Sequence, residues 1–107
     1  MKLTIVLYTT HAETNWNALR LANLALKKGD EVSLFLLGEA VEYENTGNDK
    51  FNIREQVDTF LQSDKAKIVA CGTCMKIRHQ ESTKTCPMGG LEDFYSLVAT
   101  SDKVLTF

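Results

Sequence analysis

The strongest constraint on the fold is an alternation. Buried-strand runs give way, within a few residues each time, to segments whose apolar positions recur at helical spacing. Lys2 to Tyr8 is a β-branched and leucine-rich run, as expected of a strand buried on both faces. After the polar turn Thr9-Thr10-His11, the positions Trp16, Leu19, Ala22 and Leu26, flanked by Ala18 and Ala25, predict a helix from Glu13 to Lys28. Lys27-Lys28 followed by Gly29-Asp30 reads as a basic last turn with a glycine stop. Val32 to Leu37 predicts a second buried strand. Ile53, Val57, Phe60 and Leu61 mark a second helix, and Lys67 to Ala70 a short third strand. A helix is expected from Cys71 or Gly72 to near His79, then a polar loop from Gln80 to Lys84. Leu91, Phe94, Tyr95 and Val98 mark another helix, and Lys103 to Phe107 a final strand. Gly38 to Val41 has no clear period, and Tyr43 to Lys50, with Gly47-Asn48-Asp49, reads as a mobile loop.

Strands alternating with helices imply parallel β-α-β units, hence a central sheet with helices on both faces. In such sheets reactive groups collect beyond the carboxyl ends of the strands. Three loops should therefore converge: Thr9-Thr10-His11, Gly38-Glu39-Ala40 and Cys71 to Cys74.

Composition narrows the function classes. The chain has 107 residues, 44% of them hydrophobic and 24% charged, with a net charge of −2. That balance suits one globular domain and gives no electrostatic reason to expect nucleic acid or an anionic membrane. The apolar start at Met1 to Leu7 is too short for the core of a signal peptide, and no run approaches the ~20 residues of a membrane span. Three cysteines are an odd number, which argues against a secreted disulfide framework and for reduced thiols in a cytoplasmic protein.

The chemistry centres on Cys71-Gly72-Thr73-Cys74, where the apolar Ile68-Val69-Ala70 runs directly into a Cys-x-x-Cys. Such a pair can bind a metal, close a disulfide or make one thiol reactive. At a strand-to-helix junction Cys71 meets unpaired backbone N–H groups and the positive helix end, both of which favour thiolate. Gly72 allows a tight turn and leaves the approach to Cys71 open. Cys74, one turn on, can face the same side and resolve an oxidised or persulfidated Cys71, while Lys76 and Arg78 make the field positive. Core filling is the bland alternative for both cysteines.

Cys71, Cys74, His79 and Cys86 also form a C-x2-C-x4-H-x6-C series of zinc-type ligands. A chain with its own core has little need of a structural zinc, so no metal is expected. His11 reads equally well as a proton donor to a thiolate or as a turn histidine in water. Glu39 reads first as a cap of the following turn, and Asp102 as shaping the lead-in to the last strand. Trp16, Phe60, Phe94 and Tyr95 fit core or subunit interface better than a binding box.

Together, the opening strand, Val32-Ser33-Leu34-Phe35-Leu36-Leu37-Gly38-Glu39-Ala40-Val41, Ala70-Cys71-Gly72-Thr73-Cys74 and Asp102-Lys103-Val104-Leu105-Thr106-Phe107 resemble the DsrE/DsrF-like sulfur-relay family over nearly the whole chain. The resemblance implies a single domain over residues 1–107. Its fold would be a three-layer α/β/α sandwich with a mainly parallel sheet, YchN-like with flavodoxin-like winding. It also implies a homotrimer, a hexamer or a related assembly. The reactive cysteine of relay members matches Cys71, which would accept sulfane sulfur as a persulfide and pass it to a partner's thiol without an organic cofactor. Cys74 and Cys86 lie outside the general family pattern. Two other readings use the same residues: a metal- or small-ligand-binding regulatory module built on Cys71, Cys74, His79 and Cys86, and an oligomeric scaffold without catalysis.

Overall fold

The computed structural model describes residues 1–107. The elements follow the apolar periodicity closely: β1 (Lys2–Leu7), α1 (Ala12–Lys27), β2 (Glu31–Leu36), a 3-10 helix (Gly38–Asn45), α2 (Ile53–Leu61), β3 (Ala66–Cys71), α3 (Gly72–Ile77), β4 (Met88–Gly89), α4 (Leu91–Thr100) and β5 (Lys103–Thr106). The sheet has the order β4-β3-β2-β1-β5, and every pairing is parallel.

The period-2 alternation of each strand sorts its residues between two unequal layers. Leu3, Ile5 and Leu7 of β1, Val32, Leu34 and Leu36 of β2, and Ile68 and Ala70 of β3 join α1, α2, the 3-10 helix and Met75 of α3 in one cluster of 20 buried residues. The opposite face contributes only Val6, Phe35 and Val69, covered by Phe94 and Leu97 of α4. Phe94 stacks on Phe35 with ring centroids 4.2 Å apart. Each fully buried Leu, Ile or Phe contributes ~1.5–3 kcal/mol, so the larger layer dominates the stability of the fold.

Helix ends match their sequence punctuation. Gly29, at φ 93, receives the end of α1, with Gly29 N–H bonded to Leu26 O and Asp30 N–H to Ala25 O. This is the paired closure that a left-handed residue makes available. The end of α3 uses the same closure with a non-glycine residue: His79 sits at φ 53, its N–H bonds Lys76 O, and Gln80 N–H bonds Met75 O. Asp102 accepts from Lys2 N–H at 2.7 Å while its own N–H bonds Lys2 O. It therefore sets the lead-in to β5, as the sequence implied.

Two features depart from the expected pattern. The segment beginning at Gly38 forms a 3-10 helix, and Tyr43 is fully buried rather than part of a loop. The Tyr43 hydroxyl donates to Thr85 O at 2.6 Å. The short β4 pairs Met88 with Ala70 and Gly89 with Cys71. Neither feature has a local period; both depend on contacts made elsewhere in the chain.

Candidate functional site

The site lies at the carboxyl edge of the sheet, where three strand-to-helix loops meet. The loop after β1 is pinned by the buried Asn15, whose amide donates to Thr9 O at 2.8 Å. Thr10 Oγ1 donates to Glu39 Oε2 at 3.4 Å, linking the β1 loop to the β2 loop. Gly38 N–H then donates to Cys74 Sγ at 3.3 Å, linking the β2 loop to the third. Cys71 and Cys74 thus sit where all three loops converge, as the topology required.

Cys71 ends β3 and caps α3. Its backbone is extended at φ −63 and ψ 112, and its Sγ accepts from Cys74 N–H at 3.4 Å. One helical turn on, Cys74 turns back to it, and the two sulfurs stand 2.8 Å apart in hydrogen-bonding contact. Both are free thiols and half-buried.

Gly38 completes the arrangement. It opens the 3-10 helix, so its N–H has no partner within that helix and is free for the sulfur. Its φ of 60 is left-handed, and a Cβ there would lie 3.3 Å from the ring of Tyr8. The exposed Tyr8 therefore covers the Gly38 turn from the end of β1. The sequence places Gly38 at this edge only as part of its loop and does not single out Tyr8, because a backbone amide carries no residue-type signature.

Four expectations about Cys71 and its surroundings change with this geometry. Burial, followed by the neighbouring Cys74, pushes the Cys71 thiol up rather than down. The helix it caps has only six residues, too short to build a large dipole. Gly72 does not open an approach to solvent: it is buried, and a Cβ there would meet Gly89 O at 2.7 Å and Met88 Cγ at 3.0 Å. Its bareness lets β4 cross directly over the start of α3. Arg78 adds little positive field, because its Nε pairs with Glu42 at 3.0 Å and its Nη1 donates to Cys74 O at 3.0 Å.

None of the remaining candidates makes a hydrogen bond to the thiol pair. His11 is exposed and works as the N-cap of α1: its Nδ1 accepts from Thr14 N–H at 3.4 Å and contacts Thr14 Oγ1 at 3.0 Å. Glu39 stands in the first turn of the 3-10 helix and reaches back to Thr10. Cys86 is buried at 2% exposure among Val41 O and the Gln80 amide, and burial with nearby Glu44 pushes its thiol up to about 11. His79 lines a polar depression of about 310 Å³ together with Glu42, Glu44 and Glu81, and neither Cys71 nor Cys74 borders it. The Cys71, Cys74, His79 and Cys86 series therefore does not gather into one centre, and no group of three His, Cys, Asp or Glu side chains is arranged to hold a metal ion.

With the geometry established, comparison with known proteins adds three findings. The model of the DsrE/DsrF-like family matches residues 1–107. A curated relative, an uncharacterized protein of Methanopyrus kandleri, is 28% identical over 100 residues, covering 89% of this chain and 83% of that protein. Among solved structures, the crystal structure of the ychN protein from E. coli superposes with a TM-score of 0.81 at 22% identity, covering 100% of both chains. At that identity the likeness speaks for the fold, an α/β sandwich around a parallel sheet.

Proposed function

The chain belongs to the DsrE/DsrF-like family, and on that premise we propose that it is a sulfur carrier that holds sulfane sulfur as a persulfide on Cys71. Family membership suggests a sulfur-relay role in general terms. The observation that carries the finer reading is the thiol pair at the carboxyl edge of β3, with Cys71 half-exposed and Cys74 Sγ at 2.8 Å. Among the three cysteines, this pair alone sits at the loop convergence where an α/β sheet presents its reactive groups.

In this reading the Cys71 thiolate attacks the outer sulfur of a donor persulfide, and the donor thiolate leaves. An acceptor thiolate then attacks the outer sulfur of the Cys71 persulfide and restores Cys71. The raised Cys71 thiol lowers the thiolate fraction at neutral pH but increases the nucleophilicity of the thiolate that forms. Cys74 stands ready as the resolving thiol, and no organic cofactor is needed. Donor and acceptor are other proteins or small sulfur species, met in a reducing, cytoplasmic setting. No helix is long and apolar enough to cross a membrane.

We also assign the chain, as a single domain, to a homo-oligomer. Support comes from the outward side of α4, where Leu91, Tyr95 and Val98 are exposed, and from Leu105 of β5 and the following Phe107, which are exposed as well.

Intact mass spectrometry after incubation with a persulfide donor tests the carrier role. The wild-type protein should react with the donor at Cys71, and Cys71→Ser should not. The same reaction with the donor in both proteins, read as added sulfur or as the loss of two hydrogens, would remove Cys71 from the central position.

A further inference from the structure

We propose that the chain is also a sulfane-sulfur reductase: a persulfide on Cys71 that meets no acceptor is discharged as sulfide by Cys74. The inference rests on the carrier reading and names the fate of sulfur that is not handed on. It starts from a geometry the carrier role does not require. A pure carrier needs one accessible thiol, whereas here a second thiol lies in contact with the first, anchored from another loop.

Two observations support the step. The sulfurs are 2.8 Å apart before any reaction, so closing them to the ~2.05 Å of a disulfide requires little motion. Independently, Cys74 Sγ accepts the Gly38 N–H, a donor that stays in place when Cys74 becomes an anion. Well-oriented intramolecular partners reach effective concentrations of ~10⁵ M. A free thiol at millimolar concentration cannot compete with that, so an acceptor must dock and intercept the persulfide to receive its sulfur.

The step balances without an external oxidant. Cys74 gives its proton to solvent, and its thiolate attacks Cys71 Sγ, the inner sulfur of the persulfide. The Cys71 Sγ–Cys74 Sγ bond forms, the bond from Cys71 Sγ to the outer sulfur breaks, and its electron pair leaves with that sulfur as HS⁻. The sulfane sulfur is reduced to sulfide and the two cysteines are oxidised to one disulfide. An external dithiol of the thioredoxin chemical class restores the pair by exchange and ends as its own disulfide.

A single-turnover experiment on the full chain tests this with glutathione persulfide as the probe and no acceptor or reductant present. The wild-type protein should release about one equivalent of sulfide and end lighter than the dithiol by two hydrogens. Cys74→Ser should retain the added sulfur at least about tenfold longer and release no sulfide; Cys74→Ala, a second variant, should behave alike. Cys71→Ser should take up no sulfur. A wild-type persulfide that persists as long as that of the Cys74 variants, with no sulfide released, overturns the reductase while leaving the carrier intact. Cys74 variants that take up no sulfur at Cys71 overturn both.

Discussion

Cys86 shows how one residue type can serve two ends of the same chain. Its sulfur is buried against Val41 O and the Gln80 amide, and its thiol is pushed from an ordinary 9.0 to about 11, by burial first and then by Glu44. The folded state thus holds the proton more tightly than the unfolded chain. Stability from this source is fully present below pH 9 and is lost as the pH rises from about 9 to 11. A two-unit shift corresponds to on the order of 2–3 kcal/mol. Urea unfolding from pH 8 to 11 should show the wild-type midpoint falling through this window, and Cys86→Ser, which cannot ionise there, should flatten much of the fall. Parallel curves for the two proteins would mean that Cys86 titrates as it does in the unfolded chain. At this scale the sequence was partly legible. The pair Cys71 and Cys74 could be named from their spacing and position, since a thiol has a chemical identity. For Gly38 only the converging loop could be named, because its contribution is an amide proton delivered across 36 residues by a left-handed turn. The upward push on Cys71 could not be named, since it comes first from burial and then from the contact that the fold gives it with Cys74.

The segment from Gly38 to Asn45 is the element that periodicity misses, and Tyr43 explains how it holds. Its apolar positions Ala40, Val41 and Tyr43 are buried without a helical stripe, so they look like loop residues in the sequence. The Tyr43 ring fills core space while its hydroxyl ties the segment to Thr85 O, beside a second tie between Thr85 Oγ1 and Glu44. Those ties fix the chain just before β4, where Pro87 O receives Ala70 N–H at 2.8 Å and Gly89 pairs with Cys71. Tyr43→Phe keeps the ring and removes only the hydroxyl. It should lower stability by about 1–3 kcal/mol, the cost of leaving a partly buried carbonyl unpaired. Denaturant unfolding should show a lower midpoint at unchanged slope, and amide exchange at Ala70 should quicken. Unchanged exchange at Ala70 would show that β4 keeps its place without Tyr43. The long elements were legible for the opposite reason. β1, α1, β2, α2 and α4 each carry enough apolar repeats to identify themselves, whereas β4 is two residues long and exists only as a partner of β3.

The two faces of the sheet are covered unequally, and that asymmetry points to the state of the whole molecule. One face lies under α1, α2, α3 and the 3-10 helix; the other has only α4, whose inward side chains Phe94 and Leu97 are themselves half-buried. The outward side of α4 carries an apolar stripe among its polar residues: Leu91 and Tyr95, four residues apart, are 75% and 73% exposed, and Val98 continues the stripe. Four-residue spacing places these side chains one above another on a single helix face, and an apolar stripe in water is stabilised by burial against a partner. A second copy of the chain presents the same stripe, so a self-complementary contact can close. Leu91→Glu combined with Tyr95→Glu should abolish that contact while leaving the fold intact, because neither side chain belongs to either core cluster. Sedimentation equilibrium should give a multiple of 12.0 kDa for the wild-type protein and 12.0 kDa for the double variant, with matching circular dichroism. A wild-type mass of 12.0 kDa would instead leave the stripe without a partner in this chain. An oligomer that survives the double substitution would move the contact off α4, leaving the exposed Val104, Leu105 and Phe107 at the β5 edge as the next surface to test.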